Sequence, residues 1–501
     1  MSVKQKFIYP SWALDCKRKG TELRNFKGNY YLYEITSKWD PDKKRSVKIT
    51  GKYLGKITEA DGLVESEKAR LRKQQLVVER IQVKEYGVYA AIESVFGDTV
   101  KMLKKHFPDT WQTIICLAFG RLVHRSALKN MLFHYANSYL SVQYPDVKLS
   151  ARDLSSFLRT LGQERCRIVE FCRSFRAMND CILFDGTDIF SRSEKMELPK
   201  LSKSKSGIFD TVLNVMCVFS VGQQMPVYYR LLPGNIKDMS AFKISLLESG
   251  VQDAIVVLDK GFSSEGNIKA LEDENMKFII ALPRDSSLID YEKAQNADKS
   301  QFDGYLKHAG RFVWYYSYEI TSKKNEKEDE KETKNKKKVT VFLDQYYRNL
   351  EEADYLDRIE TNGGKYTIEN FHKKRHSFGT LAIIENSQKE ACEVYRCYKT
   401  RGEVETMIDA LKNILDADRT YMQNQQTMEG WMFINLIALK WYYHILNLLK
   451  KHELNKTYAP TDLLMILNEV KKVKINDTWH DAERTKKNED LLKKIGIGHI
   501  T

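Results

Sequence analysis

Two aspartates stand where the chain leaves an apolar run. Asp185 follows the run 181–184, Asp259 follows the run 254–258, and a glycine comes within two residues of each. A carboxylate directly after a buried strand, followed by a glycine turn, is a common site geometry in open α/β sheets. Taken singly, each aspartate is more typical of a turn or a helix cap. Asp188 competes with Asp185, but three residues along a strand it faces the opposite side.

A third acid, Glu405, belongs to a helical pattern. At roughly 100° per residue, it shares an arc of about 60° with Tyr398 and Arg401, and Lys412 falls on the same face. The adjoining face is apolar and is formed by Val404, Met407, Ile408, Leu411, Ile414 and Leu415. Cations and a phenol suit phosphate contacts, and an acid between them suits a metal. A solvated polar face explains the same arc without any function.

These acids suit one kind of chemistry. Cleavage of a phosphodiester without a covalent enzyme intermediate needs an activated water and a stabilised leaving oxygen. Two divalent ions about 4 Å apart supply both, and carboxylates from different segments hold them. Mg²⁺ prefers one or two carboxylates, with waters and phosphate oxygens completing its octahedron.

The elements that would position these acids form a mixed α/β pattern. Short runs rich in Val, Ile, Phe and Tyr predict strands at 181–184, 211–221, 227–232, 254–258 and 277–282. A helix is predicted at 239–249, and a last strand at 378–385 precedes a long helix. Helices at 428–450 and 461–474 follow.

Residues 322–338 are almost wholly charged and cannot bury enough apolar surface to order themselves. Strand-like segments at 311–320 and 339–343 flank them, so we predict a hairpin with a long mobile loop. The surrounding stretch 300–374 has the pattern of an insertion into the α/β domain.

Before residue 180 the pattern predicts a basic hairpin at 29–58, then helices, one of them starting at Ser150 and Asp153. A solvated edge explains the hairpin as well as DNA contact does. The chain thus divides into a basic β-hairpin module (1–60), a helical DNA-binding region (61–178), a catalytic core in two parts (179–300 and 375–450), a β-rich insertion with the charged loop (301–374) and a C-terminal helical segment (451–501).

The composition of the chain indicates which classes of molecule it binds. A net charge of +14 favours polyanions, so nucleic acid is the leading partner class, although a merely lysine-rich protein fits equally well. Eight cysteines without a Cys-x-x-Cys pair indicate reduced thiols in a cytosolic compartment. No signal peptide is evident, and the apolar stretch 431–449 is too interrupted to span a bilayer, so no membrane partner is expected.

The motifs resemble those of insertion-sequence transposases with a Y-x2-R-x3-E-x6-K signature. Tyr398, Arg401, Glu405 and Lys412 match that signature. The other matching segments are Phe184-Asp185-Gly186-Thr187, Leu258-Asp259-Lys260-Gly261-Phe262, Pro233-Gly234-Asn235 with Asp238, and Glu429-Gly430. The similarity runs from about 180 to 450 and is weak before 180.

The resemblance implies an RNase H-like sheet flanked by helices and interrupted by the insertion. It implies that Asp185, Asp259 and Glu405 hold two Mg²⁺ ions, with Mn²⁺ as a substitute. The implied activity is cut-and-paste DNA transposition. The alternatives are an RNase H-like nuclease that does not join DNA and a non-catalytic, transposase-derived DNA-binding protein.

For DNA contact the resemblance implies that Tyr398, Arg401 and Lys412 grip the backbone near the transposon end. Trp314 is the candidate for stacking on a flipped base, and a buried sheet aromatic is the alternative for it. We expect double-stranded DNA, as transposon ends and target, in a prokaryotic, nucleoid-associated setting.

Two ends must be cut and joined together, so we expect a homodimer on DNA. The helices at 428–450 and 461–474 are candidates for its contact, because their apolar residues exceed what one helix face needs. These residues are Trp431, Phe433, Leu436 and Leu439. Packing of the same residues within the chain is the alternative.

Overall fold

The computed structural model describes most of the chain, namely residues 8–41, 43–73, 80–175, 177, 180–204, 207–235, 245, 248–250, 254–296, 298–320, 337–361 and 364–497. Asp238, most of the helix predicted at 239–249 and the charged loop up to residue 336 lie outside these ranges. The chain divides into two compact units, of which the first contains residues 1–82 and 474–478 and the second contains residues 83–473 and 479–501.

The first unit is built on a four-stranded antiparallel sheet in the order β1-β2-β3-β4. Its elements are α1 (Ser11–Asp15), β1 (Thr21–Phe26), β2 (Asn29–Asp40), β3 (Arg45–Thr58), β4 (Gly62–Glu65) and α2 (Glu67–Lys73). Strands β2 and β3 form the predicted hairpin. A small core of Ala13, Leu23, Leu32 and Ile57 packs in this unit, while Trp39 and Ile49 of the hairpin are exposed.

The second unit begins with helices, as predicted. After β5 (Ile81–Glu85) come α3 (Gly87–Ser94), α4 (Gly97–His106), α5 (Trp111–His124), α6 (Met131–Asn137), α7 (Leu140–Gln143), α8 (Ala151–Gln163) and α9 (Arg165–Arg173). The predicted start at Ser150 is confirmed, because its side chain accepts a hydrogen bond from the Asp153 backbone N–H and caps α8.

The core of the second unit is a mixed sheet. Its first strands are β6 (Cys181–Ser191), β7 (Lys200–Lys203), β8 (Phe209–Ser220), β9 (Met225–Pro233), β10 (Ile255–Leu258) and β11 (Lys277–Ala281). Antiparallel β9-β8-β6 are followed by β10 and β11, both running parallel to β6. This order and these directions are those of an RNase H-like core, so the predicted fold class is confirmed. A helix, α10 (Glu265–Asp273), connects β10 to β11.

The same sheet continues beyond β11 through four antiparallel neighbours. They are β12 (Gly304–His308), β13 (Arg311–Ile320), β14 (Lys337–Asp344) and β15 (Thr380–Glu385), in the sheet order β11-β15-β14-β13-β12. The predicted pairing on either side of the charged loop is therefore present. The intervening helices are α11 (Glu292–Asn296), α12 (Gln345–Thr361) and α13 (Ile368–Lys374).

The C-terminal part carries the remaining elements. They are α14 (Ala391–Lys399), α15 (Gly402–Asp409), a π-helical turn (Ala410–Ile414), β16 (Arg419–Thr420), α16 (Gln425–Lys451), α17 (Pro460–Asn468), β17 (Lys471–Ile475), β18 (Thr478–Asp481) and α18 (Lys486–Lys494). The helix predicted at 461–474 is wrong beyond Asn468, because the lysines of β17 alternate with β-branched Val473 and Ile475, which favours a strand.

Helix α16 is buried along most of its length against α8, α5 and β9. Trp431, Phe433, Leu436 and Leu439 are all at most 5 % exposed. The expectation that these side chains form a contact with a second copy is therefore wrong, because the chain itself covers them. Among the helices that the structure describes, none has both the length and the apolar character to cross a bilayer.

Candidate active site

Asp185 and Asp259 lie on neighbouring parallel strands. Val257 on β10 pairs with Leu183 on β6. Extending that register by two residues, just past the end of β10 at Leu258, sets Asp259 opposite Asp185. Because neighbouring strands are about 4.8 Å apart and paired residues face the same side, both carboxylates emerge on one face. Asp188, three residues along β6, belongs to the other face and is only 8 % exposed.

Backbone amides orient both carboxylates. The Gly186 N–H donates to Asp185 Oδ1 at 2.8 Å. The Lys260 N–H donates to Asp259 Oδ1 at 2.7 Å, where the chain turns out of β10. Both aspartates are partly exposed, so the remaining oxygen of Asp259 can accept a cation.

Arg401 is that cation. Its guanidinium lies 3.0 Å from Asp259 Oδ2 through one nitrogen and 2.9 Å from Glu405 Oε1 through the other. One side chain therefore connects an acid at the end of β10 with an acid on α15. We call this set of Arg401, Asp259 and Glu405 the open bridge, because its side chains are 31–56 % exposed.

Tyr398 lies at the same place. Burial, and after it the negative charge of Asp259, raises the pKa of the Tyr398 phenol, while Arg401 opposes the shift. The structure thus brings Tyr398, Arg401, Glu405 and Asp259 together.

The segment 398–412 is not one regular helix. Helix α14 ends at Lys399, and the Arg401 N–H donates to the Tyr398 carbonyl at 3.0 Å, a tight turn before α15 begins at Gly402. Lys412 follows on the π-helical turn, where wider hydrogen bonding shifts the positions of side chains around the axis. Such turns are frequent at functional sites. The prediction of a single uninterrupted helical face is therefore wrong in detail.

Trp314 lies apart from this set. Strand β13 is four positions from β10 in the sheet, which corresponds to about 19 Å. The pairings across β11, β15 and β14 place Ser317 in the row of Asp259, so Trp314, three residues away, faces the other side. There it packs against Phe302 and Tyr305.

The donor set is suited to a hard divalent ion, because all three acids offer carboxylate oxygens. In the part of the chain that the structure describes, however, no three His, Cys, Asp or Glu side chains form a group that could hold a metal. Arg401 lies between two of the acids instead. It occupies one carboxylate oxygen of Asp259 and one of Glu405.

A second arginine bridge in the same unit was not singled out from the sequence. Arg165, the first residue of α9, lies 2.6 Å from both Glu248 and Glu429 and packs over the rings of Tyr228 and Tyr229. We call Arg165, Glu248 and Glu429 the closed bridge, because its side chains are 15–24 % exposed. The only part of the closed bridge that the sequence motifs included is Glu429, in the Glu429-Gly430 motif.

Gly430, the second residue of that motif, has a packing role. A Cβ atom at Gly430 would collide with the Leu158 carbonyl of α8, and one at Gly162 would collide with the Gln426 carbonyl of α16. Glycines at both positions let α8 and α16 cross closely. The motif therefore secures the helical layer behind the sheet.

Comparison with known proteins identifies the family. A family model described as a transposase DDE domain matches residues 177–441. No curated protein matches this chain, whereas eight chains of solved structures match its structure. One is the piggyBac transposase in a synaptic complex with hairpin DNA, at 11 % identity over 71 % of this chain and 70 % of that one, with a TM-score of 0.38.

Another solved structure is the Mos1 transposase paired-end complex with the left transposon end. It is 14 % identical over 30 % of this chain and 53 % of that one, with a TM-score of 0.15. Transposase DDE domains generally use divalent metal ions. Because the family model spans more than half of the 501 residues and contains all three candidate acids, the chain belongs to the transposase DDE family and is a DNA transposase.

Proposed function

We propose that this transposase cuts DNA at the ends of its own element and joins those ends to target DNA by a cut-and-paste route. The parallel pairing of β6 and β10 supports the proposal most strongly, because extending its register by two residues brings Asp185 and Asp259 one strand spacing apart on one face. Adjacent carboxylates of this kind are what metal-dependent phosphodiester cleavage requires.

Asp185, Asp259 and Glu405 are the proposed ligands of two Mg²⁺ ions, for which Mn²⁺ substitutes. When bound, such ions activate the attacking water or 3′-hydroxyl and stabilise the leaving oxygen. The backbone amides of Gly186 and Lys260 keep the two aspartates oriented. Glu405 becomes available when Arg401 exchanges its carboxylate partners for a phosphate.

Tyr398, Arg401 and Lys412 are the proposed contacts to the DNA backbone. A guanidinium binds phosphate with the same paired geometry that it uses for carboxylates. Arg401 can therefore pass from the acids to the DNA when an end binds. The net charge of +14 adds a general attraction to double-stranded DNA, both ends and target.

We further propose that two protomers pair on two transposon ends, since both ends must reach one target together. The contact surface is not the apolar face of α16, which the chain itself covers. Light scattering is expected to show a monomer or weak dimer for the chain alone and a dimer once end DNA is bound. A single protomer that holds one end and still performs strand transfer would contradict this. We place the reaction in a prokaryotic cytoplasm, at the nucleoid.

The test is incubation of the purified chain with DNA that carries the element's own ends, with and without Mg²⁺. Cut ends and joined products that both require the metal are the expected result. Metal-dependent cutting without joining would identify a nuclease instead. End binding without cutting in Mg²⁺ or Mn²⁺ would identify a non-catalytic DNA-binding protein.

A further inference from the structure

Two cysteines far apart in the sequence lie against each other beside the carboxylate site. The sulfur atoms of Cys181 and Cys397 are 2.9 Å apart. Cys181 is the first residue of β6, four positions before Asp185, and Cys397 on α14 directly precedes Tyr398. A disulfide bond measures about 2.05 Å, so bond formation needs a movement of only about 0.9 Å between the sulfur atoms.

The surroundings of the two thiols assign them different roles. The hydrogen bond that Cys397 shares with Cys181, together with the positive charge of Lys389, lowers the pKa of the Cys397 thiol, although burial opposes this. The same hydrogen bond, together with burial, raises the pKa of Cys181. Cys397 is also the more exposed of the two. A small disulfide in solution therefore reaches Cys397 first, which makes Cys397 the attacking thiolate and Cys181 the resolving thiol.

We propose that Cys181 and Cys397 form a reversible disulfide that fastens β6 to α14 and holds the carboxylate site in its Arg401-bridged arrangement. The Cys397 thiolate attacks a low-molecular-weight disulfide, forms a mixed disulfide and expels one thiolate. Cys181 then loses its proton, attacks the Cys397 sulfur and expels the second thiolate. Two cysteine thiols are oxidised, and one small disulfide is reduced to two thiols.

The consequence for the site follows from what each element carries. The three acids form no group that could hold a metal among the described residues, and Arg401 holds Glu405 of α15 at the end of β10. The inference includes a shift of α15 relative to β6 and β10 when all three acids share an ion. A bond between β6 and α14 opposes this shift, because α14 leads into α15 through one tight turn. This second half of the inference rests on the proposed function.

The first experiment maps the bond. The full chain is treated with oxidised glutathione, digested without reduction and analysed by mass spectrometry. We expect one cross-linked peptide that joins Cys181 to Cys397. In Cys181→Ser, Cys397 should accumulate glutathione, whereas Cys397→Ser should leave Cys181 unmodified. Cys392→Ser, a partly exposed neighbour on α14, is the matched control and should still form the bond. Pairing of Cys397 with Cys392, or no pairing, would overturn the inference.

The second experiment measures the site without relying on catalysis. Terbium luminescence reports binding of Tb³⁺ to the reduced and oxidised chain, and the double variant Asp185→Ala, Asp259→Ala identifies the signal from the carboxylates. We expect oxidation to weaken Tb³⁺ binding at least about tenfold and dithiothreitol to restore it. In Cys397→Ser, oxidation should leave the affinity unchanged. Equal affinity in both states would disprove the holding effect. A chain that shows both effects and cuts no end DNA would instead disprove the proposed function.

Discussion

One arginine holds two carboxylates at two places in the second unit, and the two places differ in how far water reaches them. The open bridge has contacts of 3.0 and 2.9 Å between side chains that are 31–56 % exposed. The closed bridge has contacts of 2.6 Å between side chains that are 15–24 % exposed. The chemistry is the same, so the difference in burial decides what each bridge does.

Exposure weakens an ion pair and makes it exchangeable. Charges in water interact weakly, and exposed pairs contribute about 0–1 kcal/mol. Removing one partner of a buried pair leaves an uncompensated charge, which costs about 3–5 kcal/mol. The closed bridge, which joins α9 to α16, is therefore structural. The open bridge can release its acids at little cost, as a site that must exchange an arginine for a metal and DNA requires.

The largest effect is expected for the acids of the catalytic site. Asp185→Ala, Asp259→Ala or Glu405→Ala should each reduce end cleavage at least about a thousandfold, because a direct metal ligand is lost. End binding and the unfolding midpoint should stay close to those of the wild type. Gel assays of cleavage and of end binding measure both.

Asp188→Ala is the matched control for that series. Asp188 lies on the same strand but on the opposite face, and it is buried, so its loss should reduce stability before it reduces chemistry. If Asp188→Ala abolished cleavage in a folded chain while Asp185→Ala cut normally, the assignment of the first aspartate would be wrong.

Much of this site could be predicted from the sequence because it depends on local patterns. The apolar runs before Asp185 and Asp259 belong to strands, and Asp259 directly follows the end of β10. Asp185 instead lies inside β6, because that strand continues to Ser191, beyond the predicted run 181–184. The open bridge could not be predicted. It depends on the packing of α14 against β10 and on the tight turn before Gly402, neither of which side-chain spacing reveals.

For helix α16, the sequence predicts the helix but not what packs against it. Its apolar residues clearly exceed one helix face, but the sequence does not tell whether the chain or a second copy covers the rest. The structure shows α8, α5 and β9 around it, with Gly430 permitting the close crossing. The closed bridge likewise could not be predicted from the sequence, because Arg165 and Glu429 are 264 residues apart.

The next largest effect should separate the two bridges directly. Arg165→Met should destabilise the chain by about 3 kcal/mol, since Glu429 would lose the bridge cation while Glu248 keeps its ion pair with Arg230. Arg401→Met should change stability by less than about 1 kcal/mol. Urea unfolding of the two variants side by side measures this. Equal costs would remove the distinction between a structural and an exchangeable bridge.

A smaller effect on stability is expected when the pH is lowered. Burial opposes ionisation of Glu248, but its hydrogen bonds to Arg165 and its further contacts to Tyr228 and Arg230 lower its pKa to about 2, from an ordinary value of 4.5. A depressed carboxyl pKa gives stability that is present above pH 4.5 and is lost as the pH falls towards 2. Between pH 5 and pH 3 the loss amounts to about 2 kcal/mol.

Glu248→Gln isolates that contribution, because every other carboxyl titrates in both proteins. The variant should be less stable than the wild type at pH 6, and the difference should shrink as the pH falls to 3. Urea unfolding across this range provides the measurement. A constant difference would show that the charge of Glu248 is not what the closed bridge uses.

The smallest effect concerns DNA and tests whether the open bridge exchanges its partners. Each phosphate that the protein neutralises contributes a slope of about 0.9 in log affinity against log salt concentration. Arg401→Gln and Lys412→Gln should each weaken end binding and flatten that slope by about this amount, without changing base preference, because phosphate contacts carry no sequence information.

Lys493→Gln is the control and should leave the slope unchanged, since Lys493 is an exposed lysine paired with Glu489 on α18. Fluorescence anisotropy with end DNA at several salt concentrations gives the slopes. If only Lys412→Gln flattened the slope, Arg401 would stay with its acids when DNA binds, and the open bridge would differ from the closed one in exposure alone.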